Sequence, residues 1–262
     1  MYEQELDLAL HMVREAGREI MKHYQTDLVV EAKHDLTPVT IADRKAEELM
    51  REIIARETPT WGALGEELGL SNPEHARRWI IDPIDGTKSF ICGVPLFGTL
   101  LALVENGVPL VGVAALHALG HTLWACKGSG AFVDGQACRV SGIDRIGDAV
   151  LLDGCQTTIE RLGYSDAWRR LRQQAKIARG WGDCYGHFLV ATGRAEVMFD
   201  PIAMPWDVAA LAVILPEAGG RFSGTSGDTS IEAGSGVSTN GRLHAAVIAE
   251  LSQVPRPLDD GA

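Results

Sequence analysis

Long apolar runs are missing from this 262-residue sequence. No stretch approaches the about 18 consecutive apolar positions that a membrane span requires. The N-terminal segment, Met1 to Tyr24, mixes acids and bases throughout and has no apolar core of the signal-peptide kind. A cytoplasmic protein without membrane attachment is therefore expected. Basic residues are also scarce. Lys and Arg number 24 against 35 Asp and Glu, a formal net charge of −11. That balance weighs against nucleic acid as a partner, because phosphate backbones recruit an excess of Lys and Arg. An acidic chain can still take a phosphate where metal ions intervene. Cysteines are few: Cys92, Cys126, Cys138, Cys155 and Cys184, none in C-x-x-C spacing. An odd, scattered set argues against a disulfide framework and a structural zinc site, and buried free thiols are expected. Internal repeats and low-complexity linkers are absent too.

What is present reads as a soluble globular chain, long enough for one large domain or two tightly joined halves. Leu6, Leu10, Val13, Gly17, Ile20 and Tyr24 recur at steps of three and four, which predicts an amphipathic helix. A second helix should begin near Thr40, with Ala42, Ala46, Leu49 and Ile53 on its apolar face, and end near Pro59. Leu28 to Val39 between them suits a strand or hairpin. Trp79-Ile80-Ile81 has strand character and should end at Asp82-Pro83. Phe97 to Val104, Leu110 to Leu116 and His121 to Cys126 then suggest an antiparallel meander. From about residue 145 the pattern alternates. Strands are expected at Ala149 to Leu152, Lys176 to Arg179 and Ala195 to Phe199. Helices are expected at Thr158 to Gln174, Tyr185 to Thr192 and Asp207 to Ala218, with a frayed end from Pro255. This gives an N-terminal α+β half over 1–144 and a C-terminal α/β half over 145–262, continuous and with a cleft between them.

The most informative stretch is Asp82-Pro83-Ile84-Asp85-Gly86-Thr87. Two aspartates three residues apart at a strand end, with Pro83 favouring a turn, let both side chains and the Ile84 carbonyl converge. Oxygen-only ligands of that kind suit magnesium. Gly86 permits close approach of a ligand, and a helix starting near Thr87 would offer free N–H groups to an anion. Alone, such a segment could also be two surface turns. Gly65-Glu66-Glu67 could be a solvated face. Asp207 after Trp206 could be a helix cap. Thr40 with Asp43 has the spacing of a capping box.

Taken in order, these segments resemble the inositol-monophosphatase-like phosphatases. The resemblance includes Lys33, Pro38 to Asp43, Gly65 to Glu67, Asp82 to Thr87 and Gly93 to Phe97, then Val190 to Ala195, Trp206 to Ala210 and Glu217 to Gly220. It spans nearly the whole chain, and the D-P-I-D-G-T and W-D-x-A-A segments are the specific ones. It implies a layered αβαβα sandwich with the active site between two halves, a homodimer, and two or three magnesium ions per subunit. Glu66, Asp82 and the Ile84 carbonyl would bind one ion, Asp82, Asp85 and Asp207 a second, and Asp43 near Glu66 a weaker third. Thr87 and Glu66 would orient and help deprotonate the attacking water.

Asp85 to Ile91 and Arg179 to Gly186 look most like the histidinol-phosphatase branch. An ester whose alcohol carries an amine and an imidazole suits carboxylates and an aromatic ring. Trp181, Asp183 and Asp200 are the candidates. Trp181 could instead be core, and Asp183 a cap for the helix near Tyr185. Arg179 could bind phosphate or form an intersubunit ion pair. The eight histidines form no ligand-spaced cluster and receive no role. The alternatives are an inositol-1-monophosphatase or broad sugar phosphatase, and, from another class, a catalytically silent metal-binding regulator. The intact carboxylate set and Thr87 speak against the silent form. A nucleotide bisphosphatase would need a second basic site, which the sequence does not display.

Overall fold

The computed structural model describes residues 2–27, 29–32 and 38–254. Lys33 and the segment expected to fray, 255–262, lie outside the described residues. Helix α1 (Glu3–Met21) buries Ala9, Met12, Val13, Ala16, Gly17 and Ile20. Its buried face is centred on small residues, which let it lie close to its neighbours. Leu6 and Leu10 fall at the margin, and the helix stops short of Tyr24. Strands β1 (Val30–Ala32) and β2 (Pro38–Thr40) pair antiparallel and lead into α2 (Ile41–Glu57). Thr40 caps α2 and Asp43 completes the capping box that the spacing predicts.

Strands β3 (Gly62–Gly65), β4 (Gly69–Ser71) and β5 (Arg77–Asp85) precede the short helix α3 (Thr87–Ile91). The meander follows as β6 (Gly98–Glu105), β7 (Val108–Leu116), β8 (His121–Cys126), β9 (Ala131–Val133) and β10 (Gln136–Cys138). Strands β3 to β10 form one sheet in the order β10-β9-β8-β7-β6-β5-β3-β4. Only β3 and β5 pair in parallel. That step brings their carboxyl ends side by side. Asp82-Pro83 does not end β5, contrary to the sequence reading. The strand continues to Asp85, and its register against β6 shifts between Asp82 and Asp85. Pro83 has no amide for the ladder, and a bulge is where a sheet tolerates that.

The second half contains β11 (Val150–Asp153), α4 (Gln156–Arg161), α5 (Ser165–Gln174), β12 (Ile177–Arg179), α6 (Asp183–Ala191) and β13 (Val197–Asp200). It continues with α7 (Pro205–Val208), α8 (Leu211–Glu217), β14 (Arg221–Ser223), β15 (Gly236–Thr239) and α9 (His244–Leu251). The sheet order is β12-β11-β13-β15-β14, with the first three strands parallel. Three helices differ from their sequence reading. Residues 158–174 are split by a turn in which Gly163 takes a φ of 79°. Residues 207–218 form α7 and α8, and α7 starts before Asp207. Helix α6 begins at Asp183, two positions before Tyr185.

Strand alternation sorts the layers. Trp79, Ile81, Leu101, Leu103 and Val113 face α1 and α2. Ile80, Leu100, Ala102 and Ala114 face the other way and pack with Phe188 and Ile214 of α6 and α8. Leu152 and Met198 of the second sheet close that middle core. Leu151, Val197 and Phe199 on its far face pack with Trp168, Leu171 and Val247 of α5 and α9. The stack is helices, sheet, helices, sheet, helices, the expected αβαβα order. The middle core draws on both halves, and the boundary proposed at 144/145 falls in the connector between the two sheets.

Candidate active site

The bulge in β5 turns its acidic positions toward one place. Asp82, Asp85 and Asp207 each offer a carboxylate oxygen, and these oxygens lie within 4.8 Å of one another. Asp207 comes from the first turn of α7, where its Oδ2 accepts from the Met204 amide at 2.7 Å. It is thus both a helix cap and a member of the cluster. Asp85 accepts a hydrogen bond from the Cys184 amide near the start of α6. Glu66 follows β3, its amide bonded to the Ile81 carbonyl at 3.2 Å. Its charge acts on Asp43, Asp82 and Asp207 alike.

Burial pushes Asp82 and Asp85 well above the ordinary carboxylate range, and neighbouring negative charge adds to it. Asp207 is pushed up to about 7, by burial first and then by Glu66 and Asp200, against the opposing Met204 bond. Asp43 is raised by burial, while Thr40 opposes the rise through bonds of 2.8 and 2.6 Å to Oδ2. Two buried oxygens, Asp43 Oδ1 and Asp82 Oδ1, have no hydrogen-bond partner among the described residues. A buried anionic oxygen without a donor is costly. A hard divalent cation removes that cost, and an all-oxygen donor set fits magnesium.

The bulge also leaves the Pro83 and Ile84 carbonyls outside the paired register. Thr99 Oγ1 donates to the Pro83 carbonyl at 2.8 Å, and Thr87 Oγ1 donates to that of Ile84 at 3.0 Å. The His117 ring, held neutral by burial with a pKa lowered to about 4, donates from Nε2 to Thr99 Oγ1 at 2.7 Å. The strand segment between the two aspartates is therefore braced from behind.

Glu47 is a residue that sequence reasoning missed. It is fully buried on α2, one helical turn after Asp43. Its carboxylate accepts from the Glu67 amide at 2.8 Å, the Leu68 amide at 3.2 Å and Arg51 Nε at 2.8 Å. Those amides belong to the turn that carries Glu66. A side chain at Gly65 would collide with the Glu47 carboxylate, which is why that position has none. The available signal was the spacing Asp43, Glu47, Arg51, four residues apart on one helix face.

A second acidic group adjoins the first. Asp183 has a φ of 56°, a left-handed backbone that is uncommon outside glycine and is adopted more readily by Asp and Asn than by other residues. It is the first residue of α6 and the acidic residue of that helix's first turn. A Cβ on Gly86 would lie 3.2 Å from its Oδ2. Asp183 is raised to about 6 by burial and then by Asp200, while Lys88 opposes. Asp200, at the end of β13, accepts from His187 Nε2 at 2.9 Å. His187 is the second residue missed, one helical turn after Asp183. Trp181 is 42% exposed in the loop before α6, which excludes the core alternative. Arg179 is exposed on the edge strand β12, bonded at 2.8 Å to the Ala178 carbonyl, and no contact found among the described residues joins it to the carboxylates.

With the fold and these carboxylates in place, comparison with known proteins gives one answer. The chain belongs to the inositol monophosphatase family, which it matches over residues 1–256. It is a phosphatase of that metal-dependent family. It is 42% identical to a histidinol-phosphatase of Chlorobaculum parvum, over 96% of this chain and 98% of that one. It is 40% identical to a histidinol-phosphatase of Mycobacterium tuberculosis, over 86% and 89%. Its fold superposes on the crystal structure of extragenic suppressor protein suhB from Bartonella henselae with a TM-score of 0.90, at 27% identity, over 96% and 99% of the two chains. Among the described residues, no helix is long and apolar enough to cross a membrane.

Proposed function

We propose that the chain is a magnesium-dependent phosphomonoesterase that hydrolyses histidinol phosphate to histidinol and phosphate. The observation that carries the ester is the pair Asp183 and Asp200 beside the metal-type cluster. Each acts on the charge of Asp85, so both stand at the edge of the reacting centre. An alcohol bearing an ammonium and an imidazole suits such a wall, a neutral polyol less so. The two relatives named as histidinol-phosphatases point the same way.

In this reading Glu66, Asp82 and the Ile84 carbonyl hold one magnesium, Asp82, Asp85 and Asp207 a second, and Asp43 with Glu66 a weaker third. When bound, the cations supply Lewis acidity, a water of lowered pKa and charge for the leaving oxygen. The chain's own groups do the rest. Thr87 Oγ1 already spends its proton on the Ile84 carbonyl, so its lone pairs face outward as acceptors for the water's hydrogen. Glu66 takes the water's proton, and Asp43 supports it. The water oxygen bonds to phosphorus, the phosphorus–oxygen ester bond breaks, and the departing alcohol oxygen takes up a proton from solvent water. Gly86 and Thr87 open α3, whose first amides have no partner within the helix and suit the phosphate. Trp181 offers a ring face to the imidazole, and Arg179 a guanidinium to phosphate or to a second subunit. A homodimer in the cytoplasm is part of the same reading, the homodimer supported by the family resemblance.

The test is phosphate release with magnesium, with and without chelator, on histidinol phosphate, inositol-1-phosphate and a nucleotide bisphosphate. Histidinol phosphate should give the highest kcat/KM, and chelator should abolish turnover. Full activity without metal would overturn the metal reading. Preference for inositol-1-phosphate would overturn the ester while leaving the phosphatase in place. Turnover of none would favour the silent metal-binding form.

A further inference from the structure

His187 is a buried polar ring that the reaction just described does not use. It is 2% exposed, on the face of α6 that packs against β13 and β15. Its Nδ1 lies 2.7 Å from Ser238 Oγ and its Nε2 2.9 Å from Asp200 Oδ2. Ser238 is fully buried on β15, directly opposite Met198 of β13. The ring therefore bridges two adjacent strands and ends on the last residue of one of them.

The chemistry of the three groups orders their protons. An ionised Asp200 can only accept, so Nε2 carries the hydrogen that points to it. In the neutral ring Nδ1 then accepts, and the Ser238 hydroxyl donates. Both ring nitrogens are satisfied, as a buried imidazole requires. Asp200 Oδ2 is thereby engaged. Oδ1 is turned toward Gly154, where a Cβ would lie 2.7 Å from it, and beside Asp183, whose Oδ1 would lie 3.9 Å from the same Cβ. Neighbouring carboxylates repel each other; the ring, holding Oδ2, keeps Asp200 in place with Oδ1 beside Asp183.

We infer that His187, locked by Ser238, is the positioning residue that presents Asp200 Oδ1, next to Asp183, to the ammonium of the bound alcohol. This rests on the histidinol-phosphate reading above. His187 touches neither the phosphate nor the metal-type carboxylates in this scheme, so it sets ester preference and not the chemical step.

Three variants test it: His187→Phe, which keeps a ring but loses both nitrogens; His187→Gln, whose amide can donate to Asp200; and Ser238→Ala. KM is measured for histidinol phosphate and for an aryl phosphate with no amine. In His187→Phe the ratio of the two KM values should rise about tenfold, the low end for a lost hydrogen bond to a charged group. The kcat for histidinol phosphate should move far less than KM. His187→Gln should recover most of the ratio, and Ser238→Ala should shift it in the same direction by less. An unchanged ratio in a folded His187→Phe, or equal losses on both esters, overturns the inference while the substrate reading stands. If His187→Phe does not fold, the Ser238→Ala ratio decides by the same criterion. No turnover of histidinol phosphate by the unmodified protein overturns both.

Discussion

Asp43 and Asp82 each keep a buried oxygen with no donor among the described residues, whereas Asp200 has an oxygen held by a buried imidazole. Asp82 stands near the carboxyl end of β5 in the large sheet and Asp43 in the first turn of α2, whereas Asp200 ends a strand of the small sheet. Both regions are acidic and enclosed. They differ in who neutralises the charge. Around Asp82 the protein supplies almost no donors, so the site is built for a cation from outside. Around Asp200 and Asp153 it supplies its own, from His187 and from Trp168 Nε1 at 2.8 Å. The first arrangement suits an ion, and in the proposed reading the second takes an organic ligand.

The sharpest way to break that contrast is Asp85→Asn, which removes one charge from the cation cluster and keeps its shape. Turnover should fall at least about a hundredfold, the scale of lost catalytic electrostatics. Circular dichroism should be unchanged, since Asp85 ends a strand. Near-normal turnover in the folded variant would show that it holds no ion.

Next in size is Glu47→Ala. It leaves Arg51 and two amides of the Glu66 turn without their buried acceptor, so stability in a urea titration should drop by about 3 kcal/mol. Magnesium affinity by calorimetry should weaken as well, because the turn that carries Glu66 loses its anchor. Unchanged affinity would mean that the turn holds Glu66 unaided.

Asp183→Asn and Asp200→Asn probe the other region. A charge-assisted contact is worth roughly 1.5–3 kcal/mol, so kcat/KM for histidinol phosphate should fall about tenfold or more, with an amine-free ester affected much less. Parallel losses on both esters would reassign the two aspartates to structural support.

The smallest effect is a pH slope. Asp207 is raised from 3.8 to about 7 in the fold. A raised carboxyl gives stability that is complete below the unfolded value and lost as pH rises through the folded one. The thermal midpoint in chelator should therefore fall between about pH 4 and 7, and magnesium should remove much of that fall. Equal slopes with and without magnesium would mean that the cluster does not take the ion.

The first region was largely legible in the sequence, while of the second only the carboxylates Asp183 and Asp200 and the Trp181 ring were, and not the His187 that holds Asp200. Asp82 and Asp85 lie in a short motif whose residue types suggest a hard cation, whereas Glu66, Asp43 and Asp207 were joined to them only by the family resemblance, from which the layered fold also followed. Strand alternation located β6, β7 and β8. The continuation of β5 through Pro83 was hidden because proline punctuates a strand unless a bulge absorbs it, and a bulge is a property of the pairing partner. The short strands β3, β4, β9, β10, β14 and β15 have too few residues to show a period. Glu47 and His187 resemble ordinary helix residues until the fold brings their partners from β15, β13 and the 65–69 turn.

The Asp85 bond to the Cys184 amide joins residues 99 apart in sequence. Asp207 reaches the same cluster from still further along the chain. A cation held between Asp85 and Asp207 would therefore act as a clasp between the two halves, closing only after both have docked. It cannot template the early chain, because half of its ligands are not yet nearby. Magnesium should then leave the refolding rate almost untouched and slow unfolding, so that the working enzyme gains persistence and not speed of assembly.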